Sequence, residues 1–215
     1  MLLIEINMLI ATILKGIIIG LSISVPLGPI GMLCIQRTLN HGRKYGFITG
    51  LGATTSDLLY SVITIFFLSF VIGFIDEYRF ILQLIGSLIV IGFGFWIFRS
   101  NPVTQPLPHE KSDHSLFSDY ITSFGLTLSN PLILFVLIAL FARFDFVVPG
   151  TTIWILIVGL LSVLIGASIW WNLLTFSVNH FRNKFNFRGL KLINRITGIV
   201  IMLIGGAGTF ISLLK

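Results

Sequence analysis

The sequence predicts an all-α membrane protein of six transmembrane helices, built as two inverted three-helix repeats with broken first and fourth helices. Three observations carry this expectation. Of the 215 residues, 55% are hydrophobic and only 10% charged, with a mean hydropathy of +1.01; a soluble domain carries about 25% charged residues. Proline and glycine interrupt an apolar segment twice, at Ser24-Val-Pro-Leu-Gly-Pro-Ile-Gly31 and at Ser129-Asn-Pro131. The basic residues fall mainly on one side of the predicted spans.

Each predicted span is long enough for a hydrocarbon core about 30 Å thick. The first covers 8–38 and contains the first break, so it is expected as two helical pieces. The second covers 44–73, with Asp57 its only charge past Lys44. The third, 80–98, carries no charge and ends at Arg99. A polar stretch, 100–115, forms the linker on the cytoplasmic side. The fourth span covers 116–142 and holds the second break. The fifth starts near Pro149, a residue suited to a first helical turn, and runs to Phe181. The sixth, 192–214, is rich in glycine. This gives a first repeat over 1–99 and a second over 116–215. Met1 to Asn7 holds Glu5 and neither Lys nor Arg, so no cleavable signal peptide is expected.

Orientation follows from the loops. Arg37, Arg43, Lys44, Arg99, Lys111, Arg182, Lys184, Arg188, Lys191 and Arg195 gather on one side; Arg79, Arg143 and Lys215 lie on the other. The positive-inside rule then puts both termini outside and the basic loops in the cytoplasm. The net charge of +6 reads as a topology signal and a contact to anionic lipid, with no nucleic-acid partner. Three spans per half make the halves antiparallel. Pro26 then corresponds to Pro131, Gly86 to Gly198, and Asp57 to either Ser168 or Asn172, which share a helix face.

Asp57 is the sharpest chemical signal. A charged Asp at mid-span costs about 2.5–3.5 kcal/mol, so a cation, a polar partner, water or protonation must offset it. It is a candidate for binding a coupling proton. Thr54, Asp57, Tyr60 and Ser61 fall on one helical face. At the breaks, Pro26, Gly28, Pro29, Asn130 and Pro131 free backbone groups, which in lipid is tolerated only inside protein or beside a polar cavity. Two such breaks in corresponding halves point to a transporter's binding site. Freed carbonyls suit a cation and helix N-termini suit a carboxylate, so an amphoteric solute such as an amino acid fits both. With these residues, Asn172 completes the candidate substrate and ion site.

The remaining features read as structural. Gly16/Gly20, Gly46/Gly50 and Gly205-Gly206-Ala207-Gly208 have the spacing of close helix contacts. Lys15 is expected to snorkel outward. The linker's His109, Glu110, Asp113 and His114 match no metal-ligand spacing, and Cys34 reads as a buried thiol. No metal site and no cofactor are expected. Trp154 fits the interfacial belt, while Trp170 and Trp171 either line the cavity or pack. With no H-E-x-x-H, paired acids or Ser–His set in a span, an enzyme is not expected.

Pro26-Leu-Gly-Pro29, Arg43-Lys44, Gly50-Leu-Gly-Ala53 and Asp57-Leu-Leu-Tyr60 resemble the N-terminal half of the lysine exporter (LysE/RhtB) family, and Asn130-Pro131 resembles its second-half Asn-Pro motif. The resemblance runs across nearly the whole chain. It implies a secondary transporter of the bacterial inner membrane, working as a homo-oligomer and exporting amino acids or related small metabolites on a proton or sodium gradient. Leu27 stands between Pro26 and Gly28 where many members carry Pro-Gly-Pro, a departure that bears on the substrate more than on the fold. The alternative expectation is an exporter of a metal or other inorganic cation in the same fold.

Overall fold

The computed structural model describes residues 2–26, 28–70, 79–100, 115–130, 132–147, 152–181 and 187–213. Among them the chain is wholly helical. In order the helices are α1 (Leu2–Ser24), α2 (Pro29–His41), α3 (Arg43–Phe70), α4 (Arg79–Arg99), α5 (Leu116–Leu128), α6 (Leu132–Arg143), α7 (Ile153–His180) and α8 (Phe187–Leu213). Both expected breaks are present, between α1 and α2 and between α5 and α6.

Glu5–Ser24 of α1 and the whole of α7 are long and apolar enough to cross a bilayer, with hydropathies of 2.0 and 2.4. The α5–α6 pair is a third candidate span, bent by 71° at its break. The apolar parts of α4 and α8 are shorter, Gln83–Arg99 and Asn194–Ala207. α3 differs from these spans in carrying a polar face. Thr49, Thr54, Ser56, Asp57, Ser61 and Thr64 all sit on it, and all are buried. Its polar face points inward, while the outside of the bundle is apolar: Phe66, Phe117, Trp154 and Leu203 are 66–75% exposed. That inversion of the usual soluble pattern is what a lipid solvent selects.

The main helix pairs join the two halves of the chain. α1 packs along α7, α4 along α8, and α3 along α5 while also touching α2, α6 and α7. Small residues set the closest approaches. A methyl at Gly20 would collide with the α7 backbone at Val163 and lie 2.9 Å from Ala167 N. Gly94 of α4 and Gly198 of α8 face each other's backbones in the same way. Of the expected C-terminal run, Gly205 lies against Ile91 and Ser87, whereas Gly206 faces open space. The apolar core gathers around α6, where Leu137, Leu140 and Phe141 pack with Ile19, Val90 and Val163.

Several helix ends differ from the expectation. α7 begins at Ile153 with Thr152 as its N-cap residue, and Pro149 lies outside the described residues. α8 begins at Phe187, ahead of the expected 192, so Arg188, Lys191 and Arg195 ride on its first turns instead of in a loop. Arg37, also taken for a loop charge, sits inside α2 and is 4% exposed. Helix α2 ends one turn later, at Gly42, whose φ of +100° explains the glycine and whose N–H caps the Thr38 carbonyl.

The glycine contacts make a differential prediction. Gly20→Ala should cost about 1–3 kcal/mol by overpacking, lowering the thermal unfolding midpoint of the detergent-purified protein. Gly206→Ala, with nothing within 4 Å of the added methyl, should leave that midpoint unchanged or slightly raised.

Candidate functional site

The first break arises because two prolines bracket it. Val25 N–H still bonds to Leu21 C=O, closing α1, and Gly28 N–H turns back to Pro26 C=O at 3.0 Å. Pro29 then starts α2, where its missing N–H costs nothing. No side chain caps this helix start. The second break is built differently. Asn130 Oδ1 accepts from Leu132 N–H at 3.2 Å, so Asn130 caps α6 itself. The preceding α5 is capped at its start by Ser115, whose hydroxyl accepts from Ser118 N–H.

α3 is strapped to α5 by polar bonds that end at this second break. Ser123 Oγ donates to the Thr49 carbonyl, and Ser56 Oγ donates to Phe124 C=O at 2.7 Å. Tyr120 and Thr55 join their hydroxyls at 2.8 Å. Tyr60 Oη donates to Leu128 C=O at 2.5 Å. Leu128 ends α5, where carbonyls lose their helical partners, so Tyr60 satisfies a carbonyl that the break set free. Gly52 lets α5 come this close, since a methyl there would strike Tyr120 and Ser123.

Between the two breaks lies a cavity of about 130 Å³, well above the room one water needs. Pro26, Gly28, Pro29, Asp57 and Asn130 line it, so five of the expected site residues meet at one place. Asp57 is 5% exposed, and among the described residues no side chain bonds to its carboxyl. Ser24, Thr127 and Trp171 also line the cavity. Each is 3% exposed, and among the described residues Ser24 Oγ, Thr127 Oγ1 and Trp171 Nε1 have no hydrogen-bond partner. Such orphans are uncommon in native interiors and call for an explanation.

Three expected residues do not reach the cavity wall. Thr54 is buried and bonds to Gly50 C=O within its own helix. Tyr60 is occupied at Leu128. Asn172 is exposed; its Oδ1 accepts from Arg43 at 2.9 Å, and with Ser168 it lines a separate outward groove on α7. Trp171, one position earlier, takes the inward place instead, in the space that Gly50 leaves. Pro131 lies outside the described residues, as do the linker's His109, Glu110, Asp113 and His114.

A profile for the LysE type translocators matches residues 21–208 of the chain. The chain belongs to this translocator family. It is therefore a multi-pass membrane transporter and not an enzyme. The translocator is also 26% identical, over 89% of its length and 92% of the relative's, to the Bacillus subtilis (strain 168) protein named "Putative amino acid efflux protein YcgF". No solved structure matches it significantly.

In this translocator the least expected feature is an ion pair. Arg37 Nε lies 3.1 Å from Asp119 Oδ1, with side chains only 5% and 2% exposed. Arg37 Nη1 also donates to Thr49 Oγ1 and to Asp119 C=O. The pair sits roughly 12 Å along α2 from the first break, at 1.5 Å per residue. A second polar cluster ties the opposite end of the bundle. Gln83 Nε2 donates to both Asp145 carboxylate oxygens at 3.0 and 3.1 Å, and Lys15 Nζ donates to Asp145 C=O at 3.1 Å. Lys15 thus reaches that end of the bundle and is tied there to the Asp145 carbonyl. Nothing local marks these partners, which are 82 and 130 positions apart. Cys34, as expected, is a buried thiol, donating to Gly46 C=O.

The ion pair makes a testable prediction. Arg37→Met should destabilise the folded protein by about 3–5 kcal/mol, because it leaves Asp119 charged and buried. The double variant Arg37→Met/Asp119→Leu should recover much of the lost thermal stability in detergent.

Proposed function

We propose that this translocator is a gradient-driven secondary transporter that exports amino acids, and that the cavity between the two helix breaks is its binding site. One observation carries the reading: Asp57, buried to 5% exposure, stands on the wall of a cavity into which both breaks open. A buried acid in a membrane bundle is costly unless it binds something. The name of the Bacillus subtilis relative supports the direction and solute class, efflux of amino acids.

Coupling follows from there being one carboxylate for two cations. Asp57 binds either the coupling ion, a proton or sodium, or the ammonium of the substrate. Occupancy by one excludes the other, so the inward flow of the ion down its gradient empties the site of outgoing substrate. The arrangement needs no second acid.

The helix pairing supports an inverted repeat of two three-helix halves, with α1–α2 and α5–α6 as the broken spans. Exchanging the halves turns the α1–α7 contact into that of α3 with α5 and α6, and maps α4–α8 and α3–α7 onto themselves. Arg43, Lys44, Arg99, Lys191 and Arg195 gather at one end of the bundle in this arrangement. They support a plasma-membrane orientation with that end in the cytoplasm and both termini outside.

The test is efflux of a labelled amino-acid mixture from proteoliposomes, with and without an imposed proton or sodium gradient. Wild type should show gradient-stimulated efflux. Asp57→Asn should lose the stimulation while purifying as folded protein at wild-type yield. Gradient-stimulated efflux by Asp57→Asn at the wild-type rate contradicts the proposal.

A further inference from the structure

The cavity wall says which amino acids this site can take, an inference that rests on the transport reading above. Of the described acids, Glu5, Asp57, Asp119 and Asp145, only Asp57 lines the cavity. Asp119 is held by Arg37, and Asp145 by Gln83 and Lys15. Among the described residues no Lys, Arg or His lines it. Once Asp57 has taken the α-ammonium, a lysine or arginine side chain would bring a second cation with no anion to meet it. An acidic side chain would bring an anion with no cation. Against a largely apolar wall either mismatch costs more than the binding it would gain.

The α-carboxylate has a defined place. The start of α6 is already capped by Asn130, whereas the start of α2 carries no side-chain cap. Ile30 and Gly31, in the first turn of α2, both line the cavity, and amides at that position point at whatever lies before the helix. The orphan donors Ser24 Oγ, Thr127 Oγ1 and Trp171 Nε1 line the same cavity. They can donate hydrogen bonds that a carboxylate accepts and that no described residue takes up. The wall also includes Phe93, Trp96 and Ile97 of α4 with Ile133 and Val136 of α6. That surface is mainly hydrocarbon and aromatic ring and offers chiefly dispersion contacts.

We propose that the substrate is a zwitterionic amino acid with a neutral, apolar side chain of the leucine or phenylalanine kind. Asp57 binds its ammonium, the α2 start with Ser24, Thr127 and Trp171 binds its carboxylate, and the α4–α6 wall selects its side chain.

The experiment is efflux of labelled leucine, phenylalanine, lysine and glutamate, each measured separately from proteoliposomes holding the full chain. Leucine and phenylalanine should leave at least about tenfold faster than lysine or glutamate, the discrimination expected from about 1.4 kcal/mol or more. Lysine or glutamate leaving as fast as leucine would overturn the inference while leaving amino-acid export intact. No efflux of any of the four, from folded protein, overturns both. Thr127→Val, nearly isosteric, tests the carboxylate contact separately. It should raise the KM for leucine about tenfold, as expected for a lost hydrogen bond to a charged group, with folded yield unchanged. An unchanged KM removes Thr127 from the site.

Discussion

The constraint on which this structure depends is that backbone polar groups freed inside an apolar bundle must find partners there. Two helices are broken at proline, and each break releases carbonyls and amides where water is scarce. The second break is satisfied from within, by Tyr60 on the Leu128 carbonyl and by Asn130 on the Leu132 amide. The first is left open on the amide side. That asymmetry separates a break closed by side chains from one with an uncapped helix start.

α3 is the element through which this constraint acts. It carries an inward polar face along most of its length, and its bonds to α5 run from Thr49 to Tyr60. The same helix brings Asp57 to the cavity. A side chain that costs several kcal/mol to bury is thus placed on the most firmly tied helix. The ion pair of Arg37 and Asp119 closes the strap at one end, and the Asp145 cluster ties the other. Between them the contacts of α1 with α7 and of α4 with α8 run through glycines, surfaces with little side-chain interlock. Such a bundle has fixed polar ties at its ends and smoother apolar contacts along its flanks.

What could be read from the sequence divides along physical lines. Asp57 and the two breaks were legible because a charge or a proline in an apolar run has few innocent explanations. The order and approximate bounds of the helices were legible for the same reason, from hydropathy alone. Arg37 was misread because a basic residue near a span end is usually a loop charge, and its partner lies 82 positions away. Ser168 and Asn172 were the alternatives for the inward place that Trp171 holds, because the inverted alignment has no fixed register. A shift of one position turns a side chain by about 100° around a 3.6-residue helix, enough to move it from the cavity to the outer groove. Ser24 and Thr127 were missed because hydroxyls in helices ordinarily bond back to the preceding turn. Only the packed structure reveals that these two do not.

The central claim is that the solute passes through the cavity between the breaks and not along the outer groove of α7. Cysteine protection tests it most directly. In a Cys34→Ala background, Ile133→Cys would place a thiol on the cavity wall and Ser168→Cys one in the groove. Both variants would be treated with a small thiol reagent in proteoliposomes, with and without the transported amino acid. The account predicts that the amino acid slows labelling at position 133 and leaves position 168 unaffected. Protection at 168 with none at 133 would contradict it and move the path to the outer face of α7.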